Sequence, residues 1–219
     1  MSERKRVYVW EVPVRLTHWL FVLSIAAFTV TGLYIGNPYL HAVSSKQYIM
    51  GWMRFIHFVS AYVFLMSFII RMYWSLMGNK YACFCVWFPF STQKMRDFIA
   101  ALKFYLLLSR KPPYAAGHTA LAGFTYLIIF LLFLFEIFSG FALYSVNHTG
   151  AVWAILGGWM LGFTYLPIIR LYHHLVMYVL LAFAVLHVYV VIFADSREKN
   201  GLLVSIFSGY KFLTGKEWE

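Results

Sequence analysis

Charge is scarce in this sequence. Asp, Glu, Lys and Arg make up 12% of its 219 residues, and only 8 of these are acidic, whereas 62% of the chain is hydrophobic and 21% aromatic. A soluble domain is roughly half apolar and about a quarter charged. A water-soluble globule is therefore excluded, and the mean hydropathy of +0.72 indicates an integral membrane protein. Cysteine is scarcer still. Cys83 and Cys85 are too few to ligate a cluster and poorly spaced for a structural disulfide, so they read as free thiols in a loop. A cleavable signal peptide is not evident, because the first long apolar run is a full span without a small-residue cleavage site after a short core. Internal repeats and low-complexity stretches are missing too. The length leaves room for several spans in one domain, residues 1–219, but not for a further large soluble domain.

What the chain does contain is four apolar runs of the roughly 20 residues that a bilayer crossing requires. They cover about 16–35, 55–77, 121–145 and 166–194. The fold class expected is an all-α membrane protein, a bundle of four transmembrane helices. A shorter stretch around 98–108 contains Lys103. Met95, Phe98, Ile99, Leu102, Tyr105 and Leu106 recur there at helical spacing, which predicts an amphipathic helix on the membrane surface.

The net charge of +10 does not point to nucleic acid, because the basic residues sit in short connections between apolar runs. Arg4, Lys5, Arg6 and Arg15 precede the first span. Arg71, Lys80, Lys94, Arg96, Lys103, Arg110 and Lys111 mark the second connection, and Arg197, Lys199, Lys211 and Lys216 the tail at 195–219. Only Lys46, Arg54 and Arg170 fall on the other side. By the positive-inside rule both termini and the second connection are cytoplasmic.

That topology gives each histidine a depth. His18 starts span one on the inner side and His57 starts span two on the outer side. Span four runs inward, with His173 at its outer level and His187 at its inner level. Fourteen residues of helix return to within about 40° of the starting face, and thirteen miss it by about 140°. His173 and His187 therefore share a face, about 21 Å apart along the axis, and His174 points elsewhere. Two histidines at each of two depths suit two stacked planar cofactors, and haem b is the membrane-buried group that paired imidazoles indicate.

A repeated spacing agrees. Arg15, Arg54 and Arg170 each precede a ligand candidate by three residues, one turn closer to water, where each can receive a haem propionate. Fourteen residues beyond His18 is Gly32, which leaves room beside the outer group. Fourteen beyond His57 is Arg71, a further propionate partner. His41 and His148 read as surface residues of outer loops. Glu136, the one acidic residue well inside a span, must be protonated, paired or beside water. It reads as a hydrogen-bonded structural carboxyl, with a proton role as the alternative. The tryptophans fit interfacial belts.

With these residues located, the chain resembles the b-type cytochrome subunit of membrane-bound nickel–iron uptake hydrogenases. The resemblance is carried by VPVRLTHWL, GLYIGNP, MRFIHF, RMYWSLMGNKY, KPPYAAGH, GFALYS, HHLVMYVLLAFAVLHVY and SGYKF, which together span nearly the whole chain. It implies a prokaryotic inner-membrane anchor for the iron–sulfur small subunit and the large subunit on the periplasmic face, in a heterotrimer that can itself oligomerise. It implies electron transfer through haem b to membrane quinone, with two haems expected and one as the alternative count. The ligand positions implied are His18, His57, His173 and His187, with His57 and His173 on the outer haem and His18 and His187 on the inner. Such a subunit is non-catalytic for hydrogen itself and can contribute the quinone-reduction site. Relatives commonly carry two amide side chains at the start of span three, a region associated with quinone. Here Thr119 and Gly123 stand in their place, which leaves His118 as the quinone candidate. The alternatives are a formate dehydrogenase-type cytochrome b subunit, a non-redox anchor and, more remotely, a transporter.

Overall fold

The computed structural model describes residues 4–40, 43–44, 47–84, 87, 91–110, 117–148 and 150–214. His41, Lys46, Cys85, Lys111 and Lys216, on which readings were placed above, lie outside the described residues. Among the described residues, four helices are long and apolar enough to cross a membrane. The chain divides into two compact units, Glu11–Gly78 and a second made of Met1–Trp10 with Asn79–Glu219.

The first unit is an antiparallel helix pair, α1 (Val12–Gly36) and α2 (Ile49–Met77). Pro13 lies in the first turn of α1, where its missing N–H costs nothing and its fixed φ suits the helix. At about 1.5 Å per residue, 25 and 29 residues exceed the roughly 30 Å hydrocarbon core. Hydroxyls inside these helices satisfy themselves against their own backbone, as lipid demands. Thr17 donates to the Pro13 carbonyl at 2.8 Å, Thr29 to Ile25 at 2.8 Å and Ser67 to Val63 at 2.7 Å. Phe64 of α2 is seated between Phe21 and Phe28 of α1, at 5.0 and 5.7 Å between ring centroids. The Trp74 indole N–H donates to the Glu11 carboxylate at 2.8 Å, closing the pair at its end.

The second unit contains α3 (Thr92–Tyr105), α4 (Ala120–Ser145), α5 (Ala151–Leu156), a 3-10 turn at Gly158–Gly162, α6 (Leu166–Glu198) and α7 (Leu202–Ser208). The expected surface helix exists as α3, starting earlier than the apolar stripe because the Ser91 side chain caps it by accepting from the Lys94 N–H. It has two apolar edges. Ala101 and Phe104 are buried, Phe104 against Phe193 of α6 at 5.6 Å, while Phe98 meets Phe124 of α4 at 5.8 Å. Met95, Ile99 and Leu102 remain exposed beside the charged side chains, as a helix resting on a membrane surface requires. Burial and the Glu198 carboxylate push the Tyr105 phenol up to about 12.

Two features depart from the sequence reading. The terminal segments are not plain tails: β1 (Arg4–Tyr8) pairs antiparallel with β2 (Tyr210–Thr214), with Tyr8 opposite Tyr210. The Arg6 guanidinium lies 3.9 Å over the Tyr210 ring. A strand pair cannot straddle a bilayer, so both terminal segments lie on one side. Gly209, at φ +88°, makes the turn into β2, and its carbonyl accepts from the Val9 and Trp10 N–H groups at 2.8 and 3.0 Å. The second departure is Cys83, which is disulfide-bonded and not the free thiol expected. The backbone there is sharply turned, with the Asn79 side-chain oxygen accepting from the N–H groups of both Tyr81 and Ala82 at 3.0 Å. Spacing alone does not register such a bend.

Candidate functional site

Residues spaced three and four apart on a helix share a face, and α4 has a distinctive set: Glu136, Ser139 and Gly140. All three meet His173 of α6. His173 Nδ1 lies 2.8 Å from the Ser139 hydroxyl oxygen and 2.8 Å from a carboxylate oxygen of Glu136. The Ser139 hydroxyl is directed at the Glu136 carbonyl at 3.3 Å, so its oxygen is turned to accept. Two oxygens that close to Nδ1 require the proton to sit there, and in the neutral imidazole Nε2 is then the lone-pair nitrogen. A Cβ on Gly140 would come within 3.4 Å of His173 Cε1, so the glycine provides the space the ring occupies. The second carboxylate oxygen of Glu136 is buried with no hydrogen-bond partner among the described residues.

His57, in the other unit, is held in the same way. Its Nδ1 lies 2.9 Å from the Thr31 hydroxyl oxygen of α1. Thr31 donates its single proton to the Ala27 carbonyl at 2.6 Å, so its oxygen is turned to accept from His57 Nδ1. Phe28 supports the imidazole at 5.0 Å. His174, by contrast, is tied to its own helix, donating from Nδ1 to the Arg170 carbonyl at 2.8 Å. His148 does likewise with Tyr144 at 2.9 Å and stacks on that ring at 3.8 Å.

The remaining expected residues fall as follows. His18 is half-buried on α1 with Trp19 edge-on at 5.3 Å, and His187 is on α6 with Phe183 at 5.6 Å. Arg71 is 2% exposed on α2. Arg15 and Gly32 are half-buried, and Arg54 and Arg170 are exposed. His118 immediately precedes the Thr119 cap of α4 and lies between Trp10, at 4.8 Å, and Tyr126, at 5.6 Å. Beside it the buried Lys211 ammonium donates to the Gly117 carbonyl at 3.3 Å, and the Trp10 indole N–H donates to the Ser205 hydroxyl at 3.0 Å. Thr119 thus has a structural task, accepting the Ala122 N–H at 3.2 Å. Among the described residues no group of three or more His, Cys, Asp or Glu side chains is arranged to hold a single metal ion.

The family described as prokaryotic cytochrome b561 matches residues 9–209. The chain belongs to it. A Rhizobium leguminosarum bv. viciae protein described as a probable Ni/Fe-hydrogenase B-type cytochrome subunit is 35% identical, covering 98% of this chain and 92% of its own length. A Cupriavidus necator protein so described is 34% identical, over 94% of this chain and 87% of its own length. An Escherichia coli K12 protein described as a probable Ni/Fe-hydrogenase 1 B-type cytochrome subunit is 32% identical, with coverages of 93% and 90%.

A b-type cytochrome holds haem b, and the residues of this cytochrome fit that group. A ligating histidine almost always donates its second ring N–H to a carboxylate, carbonyl or other acceptor, which fixes tautomer and ring orientation. His57 and His173 both do so, to side chains of a neighbouring helix. Sequence reasoning singled out Glu136 but not its partner, and it missed Thr31, Ser139 and Gly140. The one signal that could have found the last two was their i+3 and i+4 spacing from Glu136.

Proposed function

We propose that this cytochrome is the membrane electron-transfer subunit of a nickel–iron hydrogenase, taking electrons from an iron–sulfur small subunit on the outer face and delivering them to membrane quinone. The observation that carries the reading is that His57 and His173 each meet side chains of a neighbouring helix at Nδ1, the Thr31 hydroxyl in one case and the Ser139 hydroxyl with the Glu136 carboxylate in the other. The names of the relatives supply the hydrogenase context. Haem b supplies reversible one-electron chemistry when bound. Depth along the sequence places His57 and His173 at the outer level and His18 and His187 at the inner. Thr31, Glu136 and Ser139 fix the tautomers of the outer two.

In the same reading Arg15, Arg54, Arg71 and Arg170 receive propionates, and Gly32 leaves room for the outer group. Ligation by a histidine pair would leave the haem iron no site for a substrate, which would make the role transfer and not substrate activation. His118, with its imidazole between two aromatic rings at the start of α4, donates a hydrogen bond to quinone. The positive-inside pattern sets the termini on the cytoplasmic side of a prokaryotic inner membrane.

The test is to extract the membrane complex gently, determine its metals and record the hydrogen-reduced minus air-oxidised spectrum. Nickel in the complex and a haem b band reduced by hydrogen are expected. Molybdenum or tungsten in place of nickel would overturn the hydrogenase assignment. A His118→Ala variant should keep the hydrogen-reducible band and lose quinone reduction, and unimpaired quinone reduction would remove His118 from the site.

A further inference from the structure

Glu136 is an expensive residue to place in a membrane helix. A carboxylate near the bilayer centre costs about 2.5–3.5 kcal/mol on insertion scales, and such residues persist where they pair or act. In this fold it pairs with His173 at 2.8 Å. The span itself does not call for the pair, since α4 is long and apolar enough to cross a membrane. Nor is Glu136 the sole anchor of His173, because the Ser139 hydroxyl oxygen also lies 2.8 Å from the same nitrogen. A second acceptor that carries charge adds what a neutral hydroxyl does not. It draws the Nδ1 proton toward itself, gives the imidazole more anionic character and makes Nε2 a stronger donor to an oxidised metal. Outer partners of this kind tune the metal that the ligand holds.

From this geometry we infer that Glu136 is a positioning and potential-setting residue: with Ser139 it orients the His173 imidazole, and its carboxylate holds the outer haem at a lower reduction potential than Ser139 alone would. The inference rests on the reading of His173 as a haem ligand. It assigns a task to the one acidic side chain well inside a span.

The test is optical redox titration of the purified membrane complex with haem content measured alongside, for wild type, Glu136→Gln and Ser139→Ala. Removing the negative charge destabilises the ferric form, so Glu136→Gln should raise the potential of one haem and leave the other unchanged, with haem content retained. The expected size is about tenfold in the redox equilibrium, the lower end for outer-partner substitutions, which is about 59 mV for one electron. Ser139→Ala, which keeps the carboxylate, should leave that potential low. It should also shift the ferric low-spin electron paramagnetic resonance signal of the same haem, because the ring loses one of its two anchors. Unchanged potentials and signals in both variants, with haem present, would overturn the inference and leave the ligand assignment standing. Wild-type protein without haem would overturn both. Should Glu136→Gln fail to assemble, Ser139→Ala still decides: a raised potential or an unmoved signal would refute the division of labour.

Discussion

Thr31→Val replaces a hydroxyl by a methyl of nearly the same size, at a residue that is 2% exposed. The helix loses little, because the hydroxyl proton only duplicates a backbone bond at the Ala27 carbonyl. The His57 Nδ1–H loses its acceptor at 2.9 Å. Removing a hydrogen-bond acceptor costs up to about 1–3 kcal/mol, and each 1.4 kcal/mol is about a factor of ten in an equilibrium. Without the Thr31 acceptor the ring is less firmly held to the tautomer that carries its proton on Nδ1, and in the other tautomer Nε2 carries the proton and cannot ligate iron. The expected outcome is haem held at least tenfold more weakly at the outer site, in line with the 10–100-fold effect of removing an outer partner of a metal ligand. The assay is the rate and extent of haem loss from detergent-solubilised complex to an excess of a haem-free acceptor protein. Thr31→Ser, which keeps the hydroxyl, should restore wild-type retention. Equal haem loss in wild type and Thr31→Val would refute the role of Thr31 in orienting His57.

Other substitutions probe separate parts of the structure. His173→Ala should remove one haem and His174→Ala none, read by pyridine haemochrome, and the reverse result would mean the helix was phased wrongly. Gly157→Ala should destabilise the connection before α6 by about 1–3 kcal/mol, because the added methyl would run into the Phe138 carbonyl and the Ala142 backbone nitrogen of α4. Thermal unfolding in detergent checks this, and an unchanged midpoint would contradict the close approach. Trp10→Phe should cost about 1 kcal/mol by removing the donor to the buried Ser205 hydroxyl. A Ser205→Ala variant should add little on top, and full additivity would argue against the bond.

The spans were legible because composition alone writes them: runs such as Leu121–Ser145 leave the backbone no partner but itself in lipid. The surface helix was legible from its spacing, but not its second buried edge at Ala101 and Phe104, since an alanine gives no sign of what it packs against. The strands escaped notice because five alternating residues such as YKFLT in a basic tail make a weak pattern, fixed only by a partner some two hundred residues away. At the site, ligand candidates announced themselves because imidazole is rare in apolar helices. Their anchors did not. Thr31 looks like any self-satisfied threonine in a span, and only the fold shows that its oxygen has a second use. Glu136 was conspicuous as a lone acid, yet its partner lies thirty-seven positions on and in another helix, a distance no periodicity spans.

Haem b per polypeptide, by pyridine haemochrome on the gently extracted membrane complex, tests whether the four histidines ligate. Two haems for each chain is the prediction, from two histidines at each of two depths. One per chain would contradict the second pair, and none would contradict the reading of these histidines as ligands at all.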